Sequence, residues 1–213
     1  MTLTWYGQSC FKVDTREVTL AIDPFSKDIG LTPPRFRADL VLVTHQHPDH
    51  ANAAAIAGNP AVIAGPGEYE VKGIAIRGIP TFHDSRGGRE RGPNTAFRIE
   101  AEGIALVHLG DFGESELREE TAEALGNVDV LLVPVGGTYT VDGETAARLV
   151  HRVEPKIAIP MHYRLPGIRV KLEPAEDFLR AMGARTVTPV EKISLKRRDL
   201  PEKQTQIVVL AAG

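Results

Sequence analysis

Short apolar runs separated by polar, glycine-bearing turns fill the first hundred residues. TLTWYG (2–7), SCFKV (9–13) and VTLAIDPF (18–25) predict a meander of antiparallel strands. GLTPPRFRA (30–38), rich in Pro and Arg, interrupts them, and DLVLVT (39–44) then runs apolar almost without a break, as a strand covered on both faces does. HANAAAIAG (50–58) predicts a short helix ending at glycine, and PAVIAG (60–65) a further strand. GIAIRGIPTFHD (73–84), TAFRIE (95–100) and GIALVHLGDFG (103–113) continue in strands, with the charged turn SRGGRERGPN (85–94) between the first two.

From residue 114 the period changes. ESELREETAEAL (114–125), DGETAARLVHRV (142–153) and EPAEDFLRAMG (173–183) predict helices, alternating with strands in VDVLLVPVGG (128–137), KIAIPMHY (156–163) and RTVTPV (185–190). Alternation of this kind implies β-α units, so a strand-rich first half precedes a more α/β second half. EKISLKRRDLPEKQ (191–204) reads as a solvated connection to a last strand, TQIVVLA (205–211). No linker composition or fixed-period repeat divides the chain, and one domain spanning 1–213 is expected.

Composition narrows the partners. Across 213 residues, 25 basic and 28 acidic side chains leave a formal charge of −3, so no global field draws the chain to nucleic acid or an anionic membrane. A single cysteine, Cys10, rules out an intrachain disulfide framework and fits a reducing compartment. The start MTLTWYGQSC has no charged n-region or apolar h-region, and no apolar run approaches the ~18 residues of a membrane span. A cytoplasmic location is the expectation.

Three of the seven histidines fall within VTHQHPDHA (43–51), directly after the most apolar run. In an extended or turn segment, His45 and His47 sit two apart and can face one metal ion, while Asp49 and His50 lie beyond Pro48, displaced towards a second. Taken alone, Asp49 could instead cap the following helix. As a unit H-x-H-x-D-H favours ligation, because three unpaired imidazoles gain nothing structurally from being held together. Three more candidates end apolar runs: His83 in GIPTFHDS, Asp111 in ALVHLGDFG and His162 in KIAIPMHY. Strand ends at one sheet edge are where loops gather into sites; as alternatives, His83 would be a turn residue, Asp111 a helix cap and His162 an interface histidine. His108 suits a core position, and His151 a helix surface near its C-terminal end.

With these residues in this order, the chain resembles the metallo-β-lactamase superfamily over almost its whole length. GGTYT (136–140) followed by IPMHY further resembles the branch containing ascorbate-6-phosphate lactonase. The resemblance implies an α/β fold, the four-layer αββα sandwich, with a dinuclear site at one edge of two sheets. It implies His45, His47 and His83 on one ion, Asp49, His50 and His162 on the other, and Asp111 between them. Asp23 would support the histidine loop from behind. An aspartate at 111 in place of the cysteine of many true β-lactamases argues against antibiotic hydrolysis.

The function expected is a metal-dependent hydrolase in which two divalent ions, zinc in the first place and manganese or iron as alternatives, activate a water against a small ester, lactone or phosphoester. Asp49 and Asp111 are the candidate catalytic carboxylates, Asp49 orienting the nucleophile. Arg86, Arg89 and Arg91, close to His83, make an anionic small-molecule substrate conceivable. Amides of Gly136 and Gly137 could bind an oxyanion, and Tyr163 and Arg164 could form a wall. Two other functions stay open: a nuclease or phosphodiesterase, which a local basic groove would support, and a metal-stabilised binding or regulatory protein without turnover.

Overall fold

In the computed structural model, which describes residues 1–213, the apolar runs pair into two sheets. In chain order the strands are β1 (Thr2–Trp5), β2 (Phe11–Asp14), β3 (Thr19–Ile22), β4 (Leu40–Val43), β5 (Ala61–Ala64), β6 (Gly67–Val71), β7 (Ile74–Phe82), β8 (Pro93–Ala101), β9 (Ile104–His108), β10 (Val130–Pro134), β11 (Ile157–Met161), β12 (Lys192–Ser194) and β13 (Gln206–Ile207). One sheet runs β12-β1-β2-β3-β4-β5 and the other β13-β11-β10-β9-β8-β7-β6. β1, β2 and β3 form the expected antiparallel meander, and β3, β4 and β5 pair in parallel.

Burial follows residue type. In β1 and β2 every second residue is buried, so one face turns inward. β4, β9, β10 and β11 are buried at every position, as their continuous apolar sequences require. Leu3, Phe11, Leu42, Phe97, Leu106 and Leu132 belong to a single core of 46 buried residues shared by both sheets. The parallel strands β9, β10, β11 and β13 are joined through α1 (Glu119–Leu125), α2 (Gly143–Val153) and α3 (Glu176–Ala181). α2 starts where its sequence says it should: the Asp142 carboxylate accepts Thr145 N–H at 2.8 Å, and Ala146, Leu149 and Val150 form its buried stripe. The layer order is therefore αββα. On the outer face of the first sheet the covering layer thins to 3-10 turns at Lys27–Ile29 and Ala53–Ala55 and a small cluster around Val41, Val43 and Ile56.

Several local expectations change. The helix expected over 50–58 is only the 3-10 turn at Ala53–Ala55, because Asn52 N–H bonds Pro24 O and Ala57 N–H bonds Phe36 O, taking amides that a helix would keep. RTVTPV forms no strand: it is largely exposed and pairs only through the bridge Val190–Leu210. The charged stretch 191–204 is more than a connection. It supplies β12, with Ile193 opposite Leu3, and buries Leu195 and Leu200. The edge strand β6, not foreseen, is joined to β7 by Lys72 and Gly73, both at positive φ as a two-residue hairpin turn needs. No helix is long and apolar enough to cross a membrane.

Candidate metal centre

Four strands deliver their ends to one edge of the sandwich. His45 follows β4, His83 follows β7, Asp111 comes three residues after β9, and His162 immediately follows β11. The first two sit on different sheets, so the site lies where the sheets open. Gly110 makes the Asp111 turn possible, since it has φ +59° and any side chain there would collide with Asn94 Oδ1 and Thr44. Asp111 N–H then donates to Asn94 Oδ1 at 3.0 Å. His162 itself takes φ +52°, a conformation few side chains adopt, and is held there by its N–H bonding Gln8 O at 2.9 Å.

The histidine loop is fastened from beneath by Asp23. This carboxylate, fully buried, accepts Thr44 N–H at 2.8 Å, Thr44 Oγ1–H at 2.6 Å and His50 Nδ1–H at 2.9 Å. Asp23 lies within ligand range of His45 and His50. Its oxygens are already taken by protein donors, however, so its part is to set the His50 tautomer and leave Nε2 facing the site.

Asp111 stands at the centre. Its Oδ2 lies 3.2 Å from His83 Nε2, 3.2 Å from His162 Nε2, 3.3 Å from His50 Nε2 and 3.8 Å from His45 Nε2. Around it the ligand atoms of His45, His47 and His83 form one group, and those of Asp49, His50 and His162 another, each within 4.8 Å of one another. Nε2 of His45 and of His50, and Nδ1 of His83 and of His162, are buried without a hydrogen-bond partner. Four such orphans in one place are rare in a folded protein, and imidazole nitrogens flanked by carboxylates suit divalent cations.

Charge explains the same arrangement. Burial pushes His45 down to about 3, reinforced by the neighbouring His50 charge, so its ring is neutral and keeps a lone pair to donate. Burial also works against a charged His50, but Asp111 and Asp23 on either side outweigh it and raise its pKa well above the usual imidazole range; a cation held at Nε2 would take the place of that proton. Asp111 is buried too, yet His162 and His50 keep it ionised well below the usual carboxylate range. No Lys or Arg pairs with Asp23, Asp49 or Asp111; histidines alone meet their charge.

The structure thus brings all seven candidate ligands into one cluster. His151 is exposed on α2, and His108 is buried, with Nε2–H donating to Ser9 O at 2.9 Å while Nδ1 accepts Gly110 N–H at 3.0 Å, steadying the Asp111 turn. Of the arginines near His83, only Arg91 lines the cavity at the centre; Arg86 pairs with Glu90 in solvent. Gly137 N–H is committed to Val141 O, which removes it as an oxyanion donor. Tyr163 packs against Trp5, 5.0 Å between centroids, and Arg164 is exposed; neither reaches the cavity. Sequence reasoning missed Gln8, which is fully buried and donates Nε2–H to Asp49 Oδ2 at 2.8 Å, and also Arg169 and Lys171 on the cavity rim. None of these carries a local spacing signal.

The cavity measures about 610 Å³, room for a small molecule. A larger one, about 740 Å³, lies elsewhere and has no histidine in its lining; its Arg98, Lys156 and Arg197 pair with Glu100 and Asp129.

A family model described as a β-lactamase superfamily domain matches residues 2–162. The chain is similar to a UPF0173 metal-dependent hydrolase of Thermoplasma acidophilum, 33% identical over 90% of this chain and 97% of that one. A second UPF0173 metal-dependent hydrolase, from Carboxydothermus hydrogenoformans, is 30% identical over 92% and 100%. A crystal structure from Thermotoga maritima, described as a candidate zinc-dependent hydrolase of the metallo-β-lactamase superfamily, superposes with a TM-score of 0.80 at 36% identity, covering 98% of this chain and 97% of that one.

Proposed function

From the premise that this chain belongs to the metallo-β-lactamase superfamily and is a metal-dependent hydrolase, we propose that it works with two divalent ions on a small ester, lactone or phosphoester. The observation that carries this reading is the single Asp111 oxygen surrounded by four imidazole Nε2 atoms from three separate segments, those of His45 and His50 lacking any hydrogen-bond partner. His45, His47 and His83 would hold one ion, Asp49, His50 and His162 the other, and Asp111 would lie between them. When bound, such a pair supplies an activated water at neutral pH and polarises the oxygen of the scissile group. The ligand set is nitrogen and oxygen without sulfur, which suits zinc and also accommodates manganese or iron.

The chain's own groups do the rest. Asp49 gives one oxygen to Gln8 and lines the cavity, where its carboxylate would orient the attacking water. Asp23 and Thr44 fix two of the rings from behind. His45, His50, His83, Asp111 and His162 are buried, which strengthens the charge interactions among them. Residues 1–213 are read as one domain, supported by the core both sheets share.

The test is metal analysis of the purified chain, followed by a panel of generic esters, lactones, phosphodiesters and cephalosporins. Two ions per chain with ester or lactone turnover are expected. A chain that takes up no ion, or is fully loaded and hydrolyses nothing in the panel, overturns the reading.

A further inference from the structure

We infer that the substrate carries a second, anionic group, a carboxylate or a phosphate remote from the bond cleaved, and that Arg91, Arg169 and Lys171 bind it. The inference rests on the hydrolase reading for the position of the reacting bond. Five of the candidate ligands, His47, Asp49, His83, Asp111 and His162, line the 610 Å³ cavity, and these three cations line it with them. Some arginines of the chain are neutralised by carboxylates, as Arg86 is by Glu90, Arg118 by Glu114, Arg152 by Glu119 and Arg197 by Asp129, while others stand unpaired on the surface; what sets these three apart is that they line the same cavity as the candidate ligands. Arg91, Arg169 and Lys171 form no ion pair. The one carboxylate in the lining outside the ligand set is Asp28, which accepts Ser26 Oγ–H at 2.9 Å. Three positive charges against one, in a chain of formal charge −3, is a local excess that composition does not produce.

The Arg91 side chain is held in place, and the backbone presents the other two cations. Asp84, next to His83, accepts the backbone N–H groups of Arg86, Gly88, Glu90 and Arg91 at 2.8–2.9 Å, winding the loop around one carboxylate. Arg91 leaves that loop with Nη2–H donating to Thr138 O at 3.2 Å and its guanidinium 5.7 Å from the centre of the Tyr139 ring. Its remaining N–H groups form a planar fork suited to a carboxylate or phosphate. On the other side, Arg169 N–H bonds Ile29 O at 2.8 Å. Val170 packs on the Cys10–Phe25–Ile29 cluster and Leu172 is buried, so Arg169 and Lys171, alternating with them, are left exposed. A group bound here while the scissile bond lies at the centre would align the substrate, using remote binding to favour the reaction.

Calorimetry on the metal-loaded chain tests this without turnover, with glycerol phosphate, glutarate and neutral glutaramide as probes. Wild type is expected to bind at least one anion about tenfold or more tighter than glutaramide, and the preferred anion distinguishes phosphate from carboxylate. Arg91→Ala, and the double variant Arg169→Ala/Lys171→Ala, should each lose about tenfold for that anion with metal content unchanged. Arg91→Lys should recover only part of the loss, because it restores charge without the fork. Variants that bind anions as wild type does, or a wild type without anion preference, overturn the inference. A chain inactive across the ester and lactone panel would count against the hydrolase reading instead, and the binding measurements would still decide the role of the rim.

Discussion

Gln8 donates its side-chain amide to Asp49 Oδ2 across 2.8 Å, linking the turn after the first strand to the histidine loop 41 residues further on. The same residue's carbonyl accepts His162 N–H. Gln8 therefore touches two of the three residues proposed for one ion and none of those proposed for the other. Gln8→Ala should weaken one of two metal-binding steps by about 10- to 100-fold and leave the other unchanged. Competition titration with a chromophoric chelator reads both steps. Equal weakening of the two would mean that Gln8 acts on the fold as a whole.

Asp111 Oδ2 lies within 3.8 Å of Nε2 of two rings from each ligand group, His45 and His83 in one and His50 and His162 in the other. Asp111→Ala should lose at least one ion per chain and reduce turnover to background. His151→Ala, on the exposed face of α2, should leave metal content and turnover as they are. Metal analysis of both variants separates the outcomes: intact activity without Asp111, or lost metal without His151, would refute the assignment.

Asp23 satisfies Thr44 N–H, Thr44 Oγ1–H and His50 Nδ1–H in a place no water reaches. Asp23→Ala strands all three donors, at a cost of about 3 kcal/mol. Denaturant midpoints at constant slope should show it in metal-free as well as loaded protein. If only the loaded form loses stability, Asp23 acts through the ion alone.

Asp129 ties the start of β10 to the rest of the molecule. Its carboxylate accepts Ala105 N–H at 2.9 Å and pairs with Lys156 and Arg197. Burial works against its charge, but those partners outweigh burial and lower its pKa. A lowered folded-state pKa means the stabilisation is complete above the unfolded value, about 3.9, and is lost as pH falls through the folded value. Asp129→Asn should therefore be less stable than wild type at pH 7, by about 1–3 kcal/mol, with the gap closing below pH 4. A gap independent of pH would remove charge from the explanation.

Local pattern made part of this legible. The six-residue H-x-H-x-D-H run is a ligand cluster by adjacency alone, and the Asp142 cap with its Ala146–Leu149–Val150 stripe marks α2 without help from the rest of the chain. Elsewhere long-range partners overrode local preference. The alanine-rich segment 50–58 has good helix formers, yet its amides bond Pro24 and Phe36. β12 was hidden by charge, since the lysines and arginines around Ile193 and Leu195 read as solvent-facing while those two pack inward.

Side-chain period records which face of an element is apolar, a property of neighbouring residues, and so the strands β1–β4, the helix α2 and the ligand types could be read from the amino acids in order. Strand order and register are properties of distant pairs. They alone placed Asp111 among rings from residues 45 to 162, set Gln8 under Asp49, and turned Arg91, Arg169 and Lys171 towards one cavity while leaving Arg86 in solvent. Residues separated by 78 positions, as Arg91 and Arg169 are, meet only because the sheets pack as they do, and no spacing along the chain encodes that meeting.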